Sequence, residues 1–289
     1  MAAVQVATST DLEENRRLVG AHVGAAAREG ASLVVFPEAT MCTFGGPSFD
    51  LTAVAEPLDG PFVQAMRAAA ARHGVTVVAG MFERASASGR ELEDRRPFNT
   101  VVVAGPDGEL LGAYRKLHLF DALGAKESAR MRAGDPATGV TTFHFGGRAG
   151  IGERGGEMTA GVMTCYDLRF PEMARALVDR GAMLLVVPAH WYAGPEKREV
   201  WETLVRARAI ESTAYVVAAG KPAPEGVGRS MVVDPAGVVC TVLEDAGDGV
   251  AIADVEASEV ARIRAVLPVL EHRRFDVAPR SAAVPVRPA

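Results

Sequence analysis

The chain has few of the residues that build disulfide frameworks and metal sites. Its 289 residues include only three cysteines and six histidines. Cys42, Cys165 and Cys240 are odd in number and far apart, so they predict no disulfide framework and fit a reducing cytosol. No CxxC pair or histidine-rich spacing indicates zinc, and no phosphate-binding loop is apparent. We therefore expect a cytoplasmic protein with no metal site and no cofactor.

Long apolar runs and a large excess of one charge are also lacking. Gly, Pro or polar residues interrupt the apolar runs, so none is long enough to span a bilayer. The first residues, MAAVQVATSTDLEE, lack the cationic head and apolar core of a secretory signal. The net charge of −5 gives no reason to expect binding to nucleic acid or to an anionic membrane. The expected partners therefore include neither.

Strand-like and helix-like segments alternate along the chain, which is typical of a layered α/β domain. A helix is predicted over 11–28, where Asp11 and Glu14 would form a capping box, and another over 61–73, closed by Gly74. Further helices are predicted over 171–180, 195–212 and 258–266. Strands are predicted over 4–7, 33–36, 75–82, 98–103, 110–114, 160–163, 183–187, 215–219, 231–233, 238–242 and 250–254.

No repeat and no Pro/Ser-rich linker interrupts this pattern. We therefore predict one domain over residues 1–277, followed by a Pro/Ala-rich tail over 278–289. The turn signals GPDG at 105–108 and DPAG at 234–237 predict two hairpins. The Gly-rich stretch 146–156 is predicted to be an exposed hairpin tip.

Three short strings place reactive side chains at the ends of predicted strands. Cys165 lies in MTCYDLRFPE, Glu38 lies in FPEA, and Lys116 lies in YRKLHLF. A carboxylate can take the thiol proton, and a lysine can stabilise the negative charge that forms on attack. No histidine is then needed to activate the cysteine, and the pattern favours an activated thiol nucleophile.

Each of these residues also has an ordinary structural interpretation. A free cysteine is more often a buried core residue, which is our expectation for Cys42 and Cys240. Glu38 would then be a capping or loop carboxylate, and Lys116 a surface lysine in a basic patch. For Cys165, the position after a predicted strand and before a predicted Pro-initiated helix argues against this interpretation. For Glu38 and Lys116 the residues alone leave both interpretations open, and Arg115 and His118 are alternatives to Lys116.

With the three strings in the order Glu, Lys, Cys, the chain resembles the nitrilase superfamily of carbon–nitrogen hydrolases. It is closest to the ω-amidase and deaminated-glutathione amidase branches, and RARAIES, SMVVDPAG and LPVLEHRRFD extend the resemblance over 4–276. The resemblance implies a four-layer α-β-β-α sandwich, a homodimer or larger assembly, and a cofactor-free thiol amidohydrolase. In that scheme Cys165 attacks an amide-type carbon and Glu38 is the general base. Lys116 and the backbone N–H of Tyr166 hold the oxyanion.

The resemblance implies roles for three further residues. Glu127, in KES, matches a second glutamate that orients the lysine or positions substrate and water; the alternative is a loop carboxylate. Arg169 matches an arginine that binds the substrate carboxylate in the ω-amidase branch; the alternative is a salt bridge to Asp167 or Glu172. Trp191 would form a pocket wall, or else would be a core tryptophan.

The chain departs from these branches in the loops that shape the pocket. The run WYAGP at 191–195 is shorter than usual and lacks the Thr of Thr-Gly-Pro, and Arg229 stands where those branches usually have His. We therefore expect the chemistry to carry over more directly than the substrate. The expected substrate is a small, carboxylate-bearing amide that releases ammonia. The alternative substrates are a nitrile and an N-carbamoyl compound. The alternative to an enzyme is a non-catalytic relative that only binds a ligand.

Overall fold

Strands and helices alternate along the chain as the sequence pattern predicts. A computed structural model describes residues 1–84, 94–146 and 157–279. Within these ranges the strands are β1 (Ala2–Gln5), β2 (Leu33–Val35), β3 (Thr76–Glu83), β4 (Phe98–Ala104), β5 (Leu110–Arg115), β6 (Thr142–Phe145), β7 (Met158–Val162), β8 (Leu184–Ala189), β9 (Tyr215–Gly220), β10 (Met231–Val233), β11 (Val239–Val242) and β12 (Gly249–Ile252). The α-helices are α1 (Leu12–Arg28), α2 (Leu51–Val54), α3 (Pro61–His73), α4 (Pro171–Asp179), α5 (Lys197–Ser212) and α6 (Ala257–Val266).

The strands form two mixed sheets of the same design. One has the order β12-β1-β2-β3-β4-β5 and the other β11-β10-β9-β8-β7-β6. Three parallel strands lie at the centre of each sheet, β1-β2-β3 in the first and β7-β8-β9 in the second. Antiparallel strands flank them, and β4-β5 and β10-β11 are the two hairpins that the turn signals predicted.

The two sheets pack face to face, with helices on their outer faces. Alternate side chains of the first sheet, such as Val34 and Val77, pack against α1 and α3. The residues between them, such as Val35 and Val78, belong to a second core that includes strands of the other sheet. On the far side, α4 packs on β7 and α5 packs on β9 and β10. This arrangement confirms the four-layer α-β-β-α sandwich, and burial on both faces explains the continuous apolar runs of the central strands.

The ends of the helices follow local signals in the sequence. Pro61 occupies the first turn of α3, and Gly74 ends that helix with φ +64°, a conformation that glycine adopts without a steric penalty. Asp11 caps α1 by accepting hydrogen bonds from the N–H groups of Glu13 and Glu14, 2.9 and 3.0 Å long. The predicted capping box is wrong, because the Glu14 carboxylate accepts a hydrogen bond from the Ser9 hydroxyl at 2.7 Å.

Short elements account for most other differences from the prediction. Neither β6 nor the single turn of α2 was predicted, because four residues carry too little periodicity to identify an element. The predicted hairpin tip, beyond Gly146, and the predicted tail, beyond residue 279, lie outside the described residues. In the part of the chain that is described, no helix has both the length and the apolar character to cross a membrane.

Candidate active site

The four predicted catalytic side chains meet in one buried cluster between the sheets. Glu38 lies three residues after β2, Lys116 follows β5 directly, and Cys165 lies three residues after β7. Glu127 begins the 3-10 helix Glu127–Ala129, on the connection between β5 and β6. The cluster therefore draws on both sheets, and its members are brought together only by the face-to-face packing of the sandwich.

Glu38 is fully enclosed, with 1% of its surface exposed. Its Oε1 accepts hydrogen bonds from Lys116 Nζ at 2.9 Å and from Asn99 Nδ2 at 2.7 Å. Its Oε2 accepts one from the backbone N–H of His190 at 2.9 Å, and the Cys165 thiol lies close enough to this carboxylate for each group to shift the pKa of the other. Burial raises the pKa of Glu38, but the Lys116 charge and these hydrogen bonds more than offset burial and lower the pKa to about 2.

Lys116 lies between two carboxylates. Its Nζ donates to Glu127 at 3.1 and 2.9 Å as well as to Glu38. Glu127 is itself fixed by the backbone N–H of Phe120 at 2.6 Å and by Asn99 Nδ2 at 3.1 Å. Burial alone would lower the pKa of Lys116, but the charges of Glu38 and Glu127 raise it well above its usual value. The ammonium therefore keeps its proton and its position.

Cys165 adopts a left-handed backbone conformation, with φ +48°, at the start of the 3-10 helix Cys165–Arg169. A non-glycine residue adopts this conformation at a cost of about 1–3 kcal/mol, so the surrounding structure must impose it. Burial and then the Glu38 charge raise the pKa of the thiol well above its usual value, although Lys116 opposes this. At neutral pH the cluster holds a thiol beside a carboxylate that is free to accept its proton.

The cluster lies at the base of a cavity of about 480 Å³. Its walls are largely apolar and include Phe44, Phe120, Met131, Tyr166, Trp191 and Tyr192. Four cationic side chains also line it: Lys126, Arg130, Arg169 and Lys197. The acids that line it, Glu38 and Glu127, are already bound to Lys116. The outer part of the cavity is therefore positively charged.

The structure places Arg169 and Trp191 together in this cavity. The Arg169 guanidinium lies 5.1 Å from the centre of the Trp191 ring. Trp191 is also buried and donates from Nε1 to the Lys197 carbonyl at 3.1 Å, so it is both a wall and a core residue. Among the described residues Arg169 forms no ion pair, and Asp167 instead accepts hydrogen bonds from Tyr114 and His118. Among the described residues, Arg169 therefore does not form the alternative salt bridge to Asp167 or Glu172.

Sequence reasoning missed two polar residues that contact Glu38. Asn99 is the one amide in the apolar strand β4, and His190 follows β8 much as Glu38 follows β2. The strand-end signal that identified Glu38 would have identified His190 as well. Burial, together with the positive charge of Lys221, lowers the pKa of His190 to about 3, so its imidazole is neutral at pH 7.

The side chains of the cluster suit acid–base and nucleophilic chemistry. Among the described residues, no group of three or more His, Cys, Asp or Glu side chains is arranged to hold a metal ion. A thiol, an acceptor for its proton and a fixed cation are the groups that nucleophilic attack on a carbonyl carbon requires.

Comparison with known proteins agrees with this chemistry. A sequence model described as carbon-nitrogen hydrolase matches residues 1–265. A hydrolase of Mycobacterium tuberculosis is 39% identical over 290 residues, covering 94% of this chain and 95% of that protein. Deaminated glutathione amidase of Escherichia coli O157:H7 is 34% identical over 275 residues, covering 95% of this chain and 97% of that enzyme.

Solved structures point to the same family. An amidase from Nesterenkonia sp. AN1, in a mutant form in which acrylamide has added to the active-site cysteine, superimposes with a TM-score of 0.71 and 26% identity. The match covers 92% of this chain and 97% of that one. The chain therefore belongs to the carbon-nitrogen hydrolase family, and it is an amidase-type enzyme of the nitrilase superfamily.

Proposed function

We propose that the protein is a thiol amidohydrolase that cleaves a non-peptide C–N bond of a small, carboxylate-bearing amide and releases ammonia. One observation carries this proposal. The buried Glu38 carboxylate accepts a hydrogen bond from Lys116 Nζ at 2.9 Å and lies close enough to the Cys165 thiol to raise its pKa. A proton acceptor, a nucleophile and a cation thus line one cavity that admits a small molecule.

In the first half of the proposed reaction Glu38 takes the thiol proton as Cys165 Sγ attacks the carbonyl carbon. The C–S bond forms and the C=O π electrons move to oxygen, where Lys116 and the backbone N–H of Tyr166 hold the negative charge. Tyr166 is suited to this because it lies in the first turn of a 3-10 helix, where N–H groups have no partner within the helix. When the oxyanion collapses, the C–N bond breaks and Glu38 gives its proton to the departing ammonia.

In the second half, water enters and loses a proton to Glu38 as its oxygen attacks the thioester carbon. The C–S bond then breaks, and the leaving sulfur recovers its proton from Glu38. The same carboxylate thus serves as base and then as acid in both halves of the reaction, because it lies beside Cys165 and Lys116 throughout. Glu127 fixes Lys116 throughout, since its carboxylate binds Nζ with both oxygens.

The cationic lining of the cavity favours a substrate that carries a carboxylate. Arg169 is exposed and, beyond its stacking on Trp191, has no ion pair among the described residues, so its guanidinium can bind a carboxylate with two hydrogen bonds. Arg130 differs, since it donates to the Phe44 and Phe49 carbonyls. The likeness to deaminated glutathione amidases supports an acidic amide as well.

A panel of small amides, nitriles and N-carbamoyl compounds, assayed for ammonia release, tests the proposal. We expect release from carboxylate-bearing primary amides, no release from the Cys165→Ala variant, and unchanged release from the matched Cys42→Ala variant. Turnover of nitriles or carbamoyl compounds in place of amides would refute the assignment of substrate class. No turnover of any class would favour a binding protein.

The same chemistry can be measured without the natural substrate. We expect acrylamide to place its amide oxygen at the oxyanion site and its electrophilic carbon near the thiol, as the addition to the active-site cysteine of the Nesterenkonia amidase suggests. Its addition forms an S–C bond at the β-carbon, and the thiol proton reaches the α-carbon through Glu38. Intact-mass spectrometry gives the rate, and we expect Cys165 to react much faster than Cys42, because Cys165 lines the cavity beside Glu38, which can take its proton, whereas Cys42 is 0% exposed and is not part of the cavity wall.

We also propose that the protein acts as a homodimer in the cytoplasm. Apolar side chains near the end of the described chain are exposed, including Leu267 and Phe275, the latter by 86%. Such side chains are suited to burial between two copies. The three free cysteines are compatible with a reducing compartment.

A further inference from the structure

Asp167 lies two residues after Cys165, is 0% exposed, and belongs to no part of the reaction described above. Its Oδ2 accepts hydrogen bonds from the Tyr114 hydroxyl at 2.7 Å and from the Thr164 backbone N–H at 2.9 Å. Its Oδ1 lies 2.7 Å from His118 Nδ1 and accepts from the His118 backbone N–H at 3.3 Å. A buried carboxylate with this many hydrogen bonds is held rigidly by its surroundings.

The partners of Asp167 lie on both sides of Lys116 in the sequence. Tyr114 precedes Lys116 by two residues and His118 follows it by two. The Tyr114 hydroxyl also accepts a hydrogen bond from the Leu117 backbone N–H at 3.1 Å. The His118 ring stacks on Phe170, with 3.7 Å between ring centres, so it too is fixed in place. The backbone that carries Lys116 is therefore tied to one carboxylate at three points.

At its other end Asp167 is joined to the nucleophile. Its own N–H donates to the Thr164 carbonyl at 3.0 Å, and its side chain accepts from the Thr164 N–H. Both hydrogen bonds bracket Cys165, whose left-handed φ of +48° needs such support. Asp167 thus links the first sheet, which carries Lys116, to the second sheet, which carries Cys165.

We propose that Asp167 is a positioning residue, which sets the Lys116 ammonium and the Cys165 thiol at the separation that the reaction requires. The inference rests on the proposed function, because Lys116 and Cys165 must act together on one carbonyl group for their separation to matter. A displacement of about 1 Å between reacting groups can lower a rate by about 10²-fold. A residue that fixes this distance therefore affects the rate of reaction more than it affects binding.

Two variants each remove one contact with Asp167 and keep the shape of the side chain. Tyr114→Phe deletes the hydroxyl, and His118→Phe deletes Nδ1 but keeps a ring to stack on Phe170. Tyr215→Phe is the matched control. Tyr215 is likewise a buried tyrosine, and it lies in β9 of the second sheet. The readouts are the rate of acrylamide addition to Cys165, and kcat and KM for a primary amide identified in the panel.

We expect Tyr114→Phe and His118→Phe each to slow acrylamide addition by roughly tenfold to a hundredfold. In amide hydrolysis, kcat should fall in both variants while KM stays nearly unchanged. The midpoint of thermal unfolding should stay close to that of Tyr215→Phe. Because both contacts act through one carboxylate, the double variant should lose less than the product of the two single losses. His118 is partly exposed, so His118→Phe carries the test if Tyr114→Phe fails to fold.

The results separate this inference from the proposed function. If wild-type Cys165 reacts no faster than Cys42, both are overturned. If the wild type reacts fast and Lys116→Met reacts slowly, but the Tyr114 and His118 variants react like Tyr215→Phe, the proposed function stands and the role of Asp167 is refuted. A loss in the two variants that lies wholly in KM, or that follows thermal stability alone, also refutes it.

Discussion

Replacing Lys116 by methionine removes the one cation from between two buried carboxylates. Nζ binds Glu38 at 2.9 Å and Glu127 at 3.1 and 2.9 Å. Within the part of the chain that the structure describes, Asn99 Nδ2 is the only other donor that the two acids share. Methionine keeps an unbranched chain of similar length but no charge. We expect two effects: a slower reaction, and a cost in stability that depends on pH.

The size of both effects follows from the structure. Loss of one oxyanion donor lowers kcat by about 10²–10³. The Lys116 charge and the hydrogen bonds to the carboxylate, opposed by burial, hold the pKa of Glu38 at about 2 against 4.5 in an unfolded chain, a difference worth about 3 kcal/mol of stability in total. This contribution is fully present above pH 4.5 and is lost as the pH falls through about 2. Without Lys116, burial and the neighbouring Glu127 charge raise the pKa of Glu38 instead.

The stability difference between wild type and Lys116→Met should therefore be largest near neutral pH and shrink below pH 4.5. Denaturant unfolding at pH 7 and at a pH below 4.5 measures it, and acrylamide addition at Cys165 measures the chemistry. Lys221→Met is the matched control, since Lys221 is equally buried and donates to Thr43 Oγ1 at 2.9 Å. A Lys116→Met enzyme with near-normal kcat, or with a stability loss that is the same at both pH values, would refute the reasoning.

The remaining predictions concern the nucleophile, the substrate, metal dependence and assembly. Cys165→Ala should abolish ammonia release and leave the unfolding midpoint near that of the wild type; more than a trace of turnover would end the thiol mechanism. Arg169→Ala should raise KM severalfold for carboxylate-bearing amides and leave uncharged amides nearly unaffected, whereas equal losses on both would make Arg169 structural. Dialysis against a strong chelator should leave activity unchanged, and a loss that added zinc restores would contradict us. Light scattering should give at least twice the 30.3 kDa of one chain; a monomer alone would exclude the homodimer.

Much of the fold could be predicted because its signals are local. The bounds of α3 follow from Pro61 and Gly74, and the β4-β5 hairpin follows from a four-residue turn. These features depend on neighbouring residues and need no knowledge of the remaining chain. The predicted capping box at Asp11 is wrong because a motif of four residues does not include the residues before it. The Ser9 hydroxyl, which lies outside the motif, donates a hydrogen bond to the Glu14 carboxylate.

The candidate site was only partly predictable. Glu38, Lys116 and Cys165 each stand at the end of a strand within a short string, so the sequence alone indicates them. Asn99 and His190 are 61 and 152 residues from Glu38, and no local pattern connects either of them to it. Their contacts with Glu38 exist because β4 and β8, in different sheets, bring them to the same buried carboxylate.

The amino-acid sequence alone indicates which residue types stand at the strand ends, the alternation of strands and helices, and the order Glu, Lys, Cys. The protonation states follow from the folded structure, because they depend on burial and on charges from distant parts of the chain. A thiol that keeps its proton, a carboxylate with a pKa of about 2 and an ammonium that stays charged arise only where both sheets exclude water. The packing of the two sheets also decided that Asp167 contacts both flanks of Lys116, because hydrogen bonds between distant segments form only when the layers meet.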